Sequence, residues 1–328
     1  MFAKRIKSRE RLLVTLDASQ HLVVLGAGFI GTSFAAAFSD AGWDVVISDP
    51  DSARRQAVEQ GVLEQRGAMA LAGLARGRVG GKTSVVSSPE AILQDANLVL
   101  ECGPEDLSIK QNIFAQLLDS TAPETLLATV SSAIPMSQIV DDTERQARCL
   151  VAHPINPPSV LRLIELCPAP GTSEQVMARA KTLFAGAGFE AVVLAREIEG
   201  FILNRLQGAV LREAYRLVDE GIAEPNDIDK VMRLGLGPRW ALSGPFETAE
   251  LNTPGGIAAH ATRMGPAYKR MGEARGEAVD WTPELVNRVV WARNEARGNA
   301  TITELAAWRP RALAQLVAIR DRLLWGEL

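Results

Sequence analysis

The amino-acid sequence predicts an α/β protein, a doubly wound parallel sheet followed by an all-helical C-terminal domain. Three observations carry that expectation. Short apolar runs alternate with helix-patterned stretches from Leu22 to Leu194, the pattern of one sheet with helices on both faces. The first run leads directly into Gly26-Ala27-Gly28-Phe29-Ile30-Gly31, a glycine loop of the kind that joins a parallel strand to its helix. After Arg196 strand patterns all but disappear, and apolar residues recur at helical spacing. The 328 residues suffice for two cores. The expected boundaries are a basic arm over 1–19, a nucleotide-binding domain over 20–196 and a helical domain over 197–328.

Composition narrows the class. Hydrophobic content of 47% and charged content of 23% are those of a soluble globular protein. A net charge of −4 gives no general attraction to nucleic acid or to an anionic membrane. An anionic ligand must therefore be met by locally placed donors. Cys102, Cys149 and Cys167 are scattered, without metal-ligand spacing, and read as reduced thiols of a cytoplasmic protein. The arm carries Lys4, Arg5, Lys7, Arg9 and Arg11 and lacks the apolar centre of a signal peptide. Leu22 to Phe38 is uncharged, but glycines interrupt it and it is short for a membrane span.

In chain order, Leu22 to Leu25 is a fully apolar strand, as a parallel sheet requires when both faces are covered. In the loop that follows, Gly26 allows the tight turn, Gly28 lets the backbone approach a pyrophosphate, and Gly31 lets helix and strand pack closely. Phe29 and Ile30 complete the loop, and a helix with Ser33, Phe34 and Ala35 to Ala37 follows, its N-terminus facing the anion. The next strand, Asp44 to Ser48, ends at Asp49, close to the roughly 20-residue offset of a ribose-binding acid. A carboxylate there accepts from ribose hydroxyls and repels a 2′-phosphate, favouring NAD over NADP, although Arg54 and Arg55 just beyond weigh the other way. The combination defines a Rossmann-type NAD-binding half. Residues 51–75 follow as a helix, then a basic turn over Arg76 to Lys82. Strands are expected over 84–87 and 96–102, with a helix starting at Gly103-Pro104-Glu105-Asp106 and Lys110 one turn in. Leu126 to Val130 is a further strand. It ends at Ser131-Ser132, which serve equally as helix caps or as site hydroxyls.

Val151-Ala152 closes another buried strand, and the prolines of His153-Pro154-Ile155-Asn156-Pro157-Pro158 force an extended, turning backbone after it. His153 thus stands at a strand end, where α/β proteins place their chemistry. Glu165 sits inside the apolar run Leu163 to Leu166. A carboxylate there is costly unless paired, and His153 is the nearest candidate partner. Beyond Arg196, the spacing predicts a long amphipathic helix over 197–220 and a short one over 227–234. A loop-rich joint follows through Gly235-Leu236-Gly237-Pro238-Arg239-Trp240 and Ser243-Gly244-Pro245. Further helices run from Gly256 onward, closing over 311–325.

Several motifs together resemble the 3-hydroxyacyl-CoA dehydrogenase superfamily, and most closely its branch of lambda-crystallin and L-gulonate 3-dehydrogenase. They are the glycine loop; Glu101-Cys102-Gly103-Pro104-Glu105-Asp106-Leu107 with Lys110; Ser131-Ser132; His153 to Pro158; Glu165; Gly200-Phe201-Ile202-Leu203-Asn204-Arg205-Leu206-Gln207; and Gly235-Leu236-Gly237 through Gly244-Pro245. The resemblance covers about residues 22–252. It implies NAD-dependent oxidation of a 3-hydroxyl to a ketone. His153 would be the catalytic histidine, Glu165 its partner carboxylate, Ser132 the serine near the substrate hydroxyl, and Asn204 the asparagine that completes the site. Glu105 and Lys110 would lie near the nicotinamide ribose, and Asn156 would be a structural or substrate-side polar group. The resemblance also implies a homodimer through the helical domain and a site in the cleft between domains.

A neutral histidine suits removal of an alcohol proton, since its pKa lies near operating pH. A carboxylate on the other ring nitrogen fixes the tautomer. The leading expectation is a small anionic hydroxy acid, a sugar acid resembling L-gulonate, with Arg239, Arg205 or Arg162 meeting its carboxylate. Arg162 departs from the branch, which tends to have a neutral residue there. Residues 51–82 are also shorter and less lysine-rich than the clasp of the acyl-CoA enzymes. The alternatives are a 3-hydroxyacyl-CoA or an L-carnitine dehydrogenase, the latter with Trp240, Phe246 and Glu247 around the trimethylammonium group. A further alternative, of another class, is a crystallin-like structural or NAD-sensing protein, against which the complete set of Ser132, His153, Glu165 and Asn204 argues. No metal is expected.

Overall fold

The structure, a computed structural model, describes residues 20–77, 81–242, 244–254 and 256–275, together with residues 284, 299, 301, 304, 311, 314–320 and 322. The arm expected over 1–19 lies outside the described residues, as do the centre of the 76–82 turn, Ser243 and parts of the expected closing helix.

The strands are β1 (His21–Leu25), β2 (Asp44–Ser48), β3 (Thr83–Val86), β4 (Leu98–Glu101), β5 (Leu126–Thr129), β6 (Cys149–Pro154), β7 (Leu163–Pro168) and β8 (Glu190–Val193). They form one sheet in the order β3-β2-β1-β4-β5-β6-β7-β8. Every neighbouring pair is parallel except β6 with β7. The doubly wound sheet with an antiparallel addition is the expected one, and the antiparallel step is what sets His153 directly opposite Glu165.

The connecting helices are α1 (Phe29–Asp40), α2 (Ser52–Leu71), α3 (Leu107–Ser120), α4 (Met136–Ile139) and α5 (Glu174–Gly186). Side chains of a strand point alternately to the two faces, and here both faces are dry. Leu22, Val24, Leu98, Leu100, Leu150 and Ala152 enter one core with Phe34, Phe38, Met69 and Phe184 of α1, α2 and α5. Val23, Val99, Leu127, Cys149 and Val151 enter the other with Phe114, Leu117, Met136 and Ile139 of α3 and α4. That is why these strands read as unbroken apolar runs rather than alternating ones.

The remaining helices are α6 (Leu203–Asp219), α7 (Pro225–Val231), α8 (Gly237–Leu242), α9 (Pro245–Leu251) and α10 (Gly256–Arg275). Two expectations are corrected here. The helix expected from residue 197 begins at Leu203, because Gly200 and Phe201 both adopt left-handed backbone, φ 76° and 50°. The expected loop over 235–240 is helical: a π-turn at Met232–Leu236 runs into α8. The widened turn accommodates Pro238, which has no N–H to donate and whose ring would otherwise press on the carbonyl four residues back.

The chain divides into two compact units, Met1–Arg205 with Trp308–Ile319, and Leu206–Ala307 with Arg320–Leu328. The first contains the sheet, and its returning segment buries Ala314 and Val317 against Ala68, Ala72 and Val160. The second contains only helices and turns among its described residues. It exposes many apolar side chains, Ile222, Val231, Leu234, Phe246 and Leu251 among them. No helix among the described residues is long and apolar enough to cross a membrane.

Candidate active site

The glycine loop is shaped by contacts rather than by sequence alone. Gly26 has φ 113°, and a side chain there would meet the Cys102 carbonyl oxygen at 2.6 Å. A Cβ at Gly31 would fall 2.0 Å from the Gly26 carbonyl oxygen, whereas one at Gly28 would meet nothing within 4 Å. Gly28 therefore borders open space, and it N-caps α1 without any side-chain acceptor. By contrast α2, α3 and α5 are capped by Asp51, Asp106 and Ser173. The uncapped amides of α1 leave an anion site of the kind a pyrophosphate fills, so these residues fit NAD. Phe29 is exposed and Ile30 half-buried at its mouth.

Asp49, at the end of β2, is 3% exposed. One carboxylate oxygen accepts from Ala27 N–H at 2.8 Å and the other from Asp51 N–H at 2.9 Å. The expected ribose acid thus also ties the glycine loop to β2. Arg54 lies 3.9 Å from the same carboxylate, and Arg55 donates to the carbonyls of Asp49 and Pro50.

Lys110 is wholly buried, and its ammonium sits 2.8 Å from Glu101 Oε2 and 3.6 Å from Glu105 Oε2. Thr129 Oγ1 and Gly103 N–H also donate to the Glu101 carboxylate, which satisfies an otherwise costly buried charge. Glu105 in turn accepts from the Ser131 hydroxyl at 2.6 Å and from the amides of Ser132 and Ala133. Burial opposes its charge, but the Ser131 hydroxyl, the Lys110 ammonium and those two amides outweigh it and hold the carboxyl below its ordinary value. Glu105 and Lys110, expected near the cofactor, thereby fix the loop that carries Ser132. Ser131 takes the cap role, its Oγ accepting from the amides of Ala133 and Ile134, while Ser132 is exposed.

His153 and Glu165 meet as expected. His153 Nδ1 lies 2.7 Å from Glu165 Oε2, with both side chains buried. The other oxygen, Oε1, accepts from the Ile202 and Leu203 amides at 2.9 and 3.0 Å, at the start of α6. Asn204, one residue further, donates through Nδ2 to the Ser132 carbonyl at 2.7 Å. Ser132, His153, Glu165 and Asn204 all belong to the first unit. The Phe201 ring lies 5.3 Å from the imidazole at 39°.

The substrate-side candidates are placed less uniformly. Asn156 is exposed. Arg205 is exposed and makes one long bond, 3.5 Å, to the Glu199 carbonyl. Arg162 is committed elsewhere: it donates to the carbonyls of Ser159 and Ala187 and lies 5.0 Å over Phe189. Burial, with Arg76 nearby, lowers its pKa to about 10. Arg239 and Trp240 are exposed on α8 in the second unit, and Phe246 is 80% exposed at the start of α9. All three cysteines are free thiols, and burial pushes Cys149 and Cys167 up to about 12, which removes them as nucleophiles near neutral pH. No group of side chains suited to a metal occurs among the described residues.

The sequence marks Glu101 and Phe201 only as members of quoted motifs, without a role, and does not mark Thr129. Glu101 was findable by the argument that finds Glu165: an acid in an apolar strand requires a partner, and Lys110 follows on the next helix. Nothing local marks what Phe201 touches, because the ring it faces, His153, is distant in the chain.

A doubly wound sheet with an uncapped glycine-loop helix and a buried histidine–carboxylate pair defines an NAD-dependent dehydrogenase. Residues 21–198 match the 3-hydroxyacyl-CoA dehydrogenase NAD binding domain and residues 200–300 match the 3-hydroxyacyl-CoA dehydrogenase C-terminal domain. The chain belongs to the 3-hydroxyacyl-CoA dehydrogenase family, and NAD is its cofactor. It is 34% identical to a lambda-crystallin homolog of Bos taurus, over 92% of this chain and 96% of that protein. It is 32% identical to an L-carnitine dehydrogenase of a Pseudomonas species, over 88% of this chain and 90% of that one. Its fold matches the crystal structure of 5-formyl-3-hydroxy-2-methylpyridine 4-carboxylic acid 5-dehydrogenase, an NAD+-dependent dismutase, with TM-score 0.81 and 23% identity over 95% of this chain and 100% of that one.

Proposed function

We propose that the protein oxidises the 3-hydroxyl of a small anionic hydroxy acid to the 3-keto acid, with a sugar acid resembling L-gulonate as the leading substrate. The observation that carries this reading is the buried His153–Glu165 pair, linked to the exposed Ser132 through the start of α6, where the Leu203 amide donates to Glu165 and Asn204 to the Ser132 carbonyl. With Glu165 on Nδ1, the neutral ring keeps its proton there and leaves Nε2 to accept the alcohol proton. The Glu165 charge then stabilises the imidazolium that forms. Ser132 and the unused part of the Asn204 amide hold the substrate oxygen while charge builds on it. Bound NAD supplies the acceptor for the hydride leaving the carbinol carbon. Gly26, Gly28, Phe29, Ile30, Gly31, Asp49 and Glu105 would hold it, with the wholly buried Lys110 acting through Glu105. Arg205 is the favoured partner of the substrate carboxylate, since it is exposed and adjacent to Asn204.

The likeness to an L-carnitine dehydrogenase supports a second reading, with exposed Trp240 and Phe246 near Glu247 as a candidate recognition surface for a quaternary ammonium. NADH formation, followed by absorbance over L-gulonate, other aldonates, L-carnitine, 3-hydroxybutyrate and 3-hydroxybutyryl-CoA, decides between them. Turnover of an aldonate alone is the expected result. Turnover of carnitine alone selects the second reading, and turnover of the thioester alone rejects both.

A further inference from the structure

We propose that Phe201 is a positioning residue for catalysis, holding the His153 imidazole against Glu165 and turning the start of α6 onto the same carboxylate. The inference rests on the reading of His153 as the base. Phe201 is the one non-glycine residue with positive φ among the described residues, at 50°. Side chains strain the backbone there, and such strain persists only where its surroundings impose it. Gly200, just before it, takes a similar conformation at φ 76° without that cost. Glycine at 201 would do the same, so the ring must contribute something that offsets the strain. It is wholly buried and lies 5.3 Å from the His153 ring. The left-handed pair of residues also sends the next two amides, Ile202 and Leu203, to Glu165 Oε1, while Glu165 Oε2 holds His153 Nδ1. Ring and backbone of one residue therefore bear on both sides of the dyad. Phe201 also packs with Val151 and Leu194 in the second core, so core filling is the competing account.

Phe201→Leu keeps apolar bulk and loses the flat ring, while Phe201→Tyr keeps the ring. The full chain is assayed with NAD and the substrate identified by the panel above. Positioning predicts that Phe201→Leu lowers kcat roughly 10- to 100-fold while KM and NAD affinity stay within about threefold, and that Phe201→Tyr retains activity. A second readout needs no substrate. The chain has three histidines, so the 15N signals of His153 are assignable by their loss in His153→Gln. They should report one fixed tautomer in the wild type and in Phe201→Tyr, and an averaged one in Phe201→Leu. If Phe201→Leu does not fold, Phe201→Met, which loses the ring but comes closer to it in volume, is read in the same way. A fixed tautomer with unchanged kcat, or a loss confined to KM or NAD affinity, overturns the proposal. If His153→Gln abolishes turnover while Phe201→Leu retains it, only this inference fails; if His153→Gln retains turnover, the underlying reading fails with it.

Discussion

The two carboxylate oxygens of Glu165 serve different partners. One accepts from the α6 amides and the other faces His153 Nδ1. In Glu165→Gln the amide oxygen will still accept from Ile202 and Leu203, which turns the NH2 group toward the ring. His153 Nδ1 must then accept, the proton moves to Nε2, and the base is lost. We expect kcat to fall roughly 10²- to 10⁴-fold with the melting temperature little changed; near-normal turnover of this variant would reject the dyad. Glu105 gives a prediction in pH. Its folded pKa is held below the ordinary 4.5, so the unfolded chain takes up its proton first as the pH falls. Its stabilising contribution is complete above the ordinary value and disappears as pH drops through the lower folded value. The melting-temperature gap between wild type and Glu105→Gln should therefore be constant above about pH 5.5 and narrow steadily below pH 4.5. A gap that widens on acidification contradicts the assignment.

At the scale of elements, the glycines of the first turn separate into structural and ligand-facing positions. Gly31→Ala would push a methyl into the Gly26 carbonyl. We expect it to lower stability by about 1–3 kcal/mol in urea denaturation. Gly28→Ala meets open space in the protein and should leave the denaturation midpoint unchanged while weakening NAD in titration calorimetry, since the methyl would keep the loop backbone from approaching the pyrophosphate. Equal effects of both variants on stability would remove Gly28 from the cofactor site. The central strands of this half were legible because their apolar runs are sandwiched between two cores, and α2, α3 and α5 because their caps Asp51, Asp106 and Ser173 stand beside them. The start of α6 was not. Helical periodicity extends back to Ile198, but the Glu165 carboxylate, arriving from β7, claims the first free amides and sets the boundary at Leu203. Pro238 misled in the opposite direction, since proline argues for a break and a single π-turn absorbs it.

For the whole molecule, the second unit leaves Ile222, Val231, Leu234, Phe246 and Leu251 exposed, each by 60% or more. Apolar exposure on that scale marks association surfaces, and we propose a homodimer through this unit. Light scattering at micromolar concentration should return twice the chain mass, and a monomeric mass would refute the proposal. The NAD loop and the pairing of His153 with Glu165 were legible in the sequence itself, from a strand–glycine–helix transition and from an acid stranded in an apolar run that must find a partner. The dehydrogenase class came from the family resemblance that the assembled motifs carry. Other features were decided only by tertiary structure. Arg162, a plausible anion donor by sequence, is committed to carbonyls and an aromatic face. Asp49 doubles as the tether of the glycine loop. Glu105 reaches from the β4–α3 turn to hold the Ser132 loop, and Phe201 adopts a backbone that its own identity disfavours. These depend on which groups the fold brings within hydrogen-bonding distance, and a buried polar group takes the nearest available partner whatever its distance along the chain.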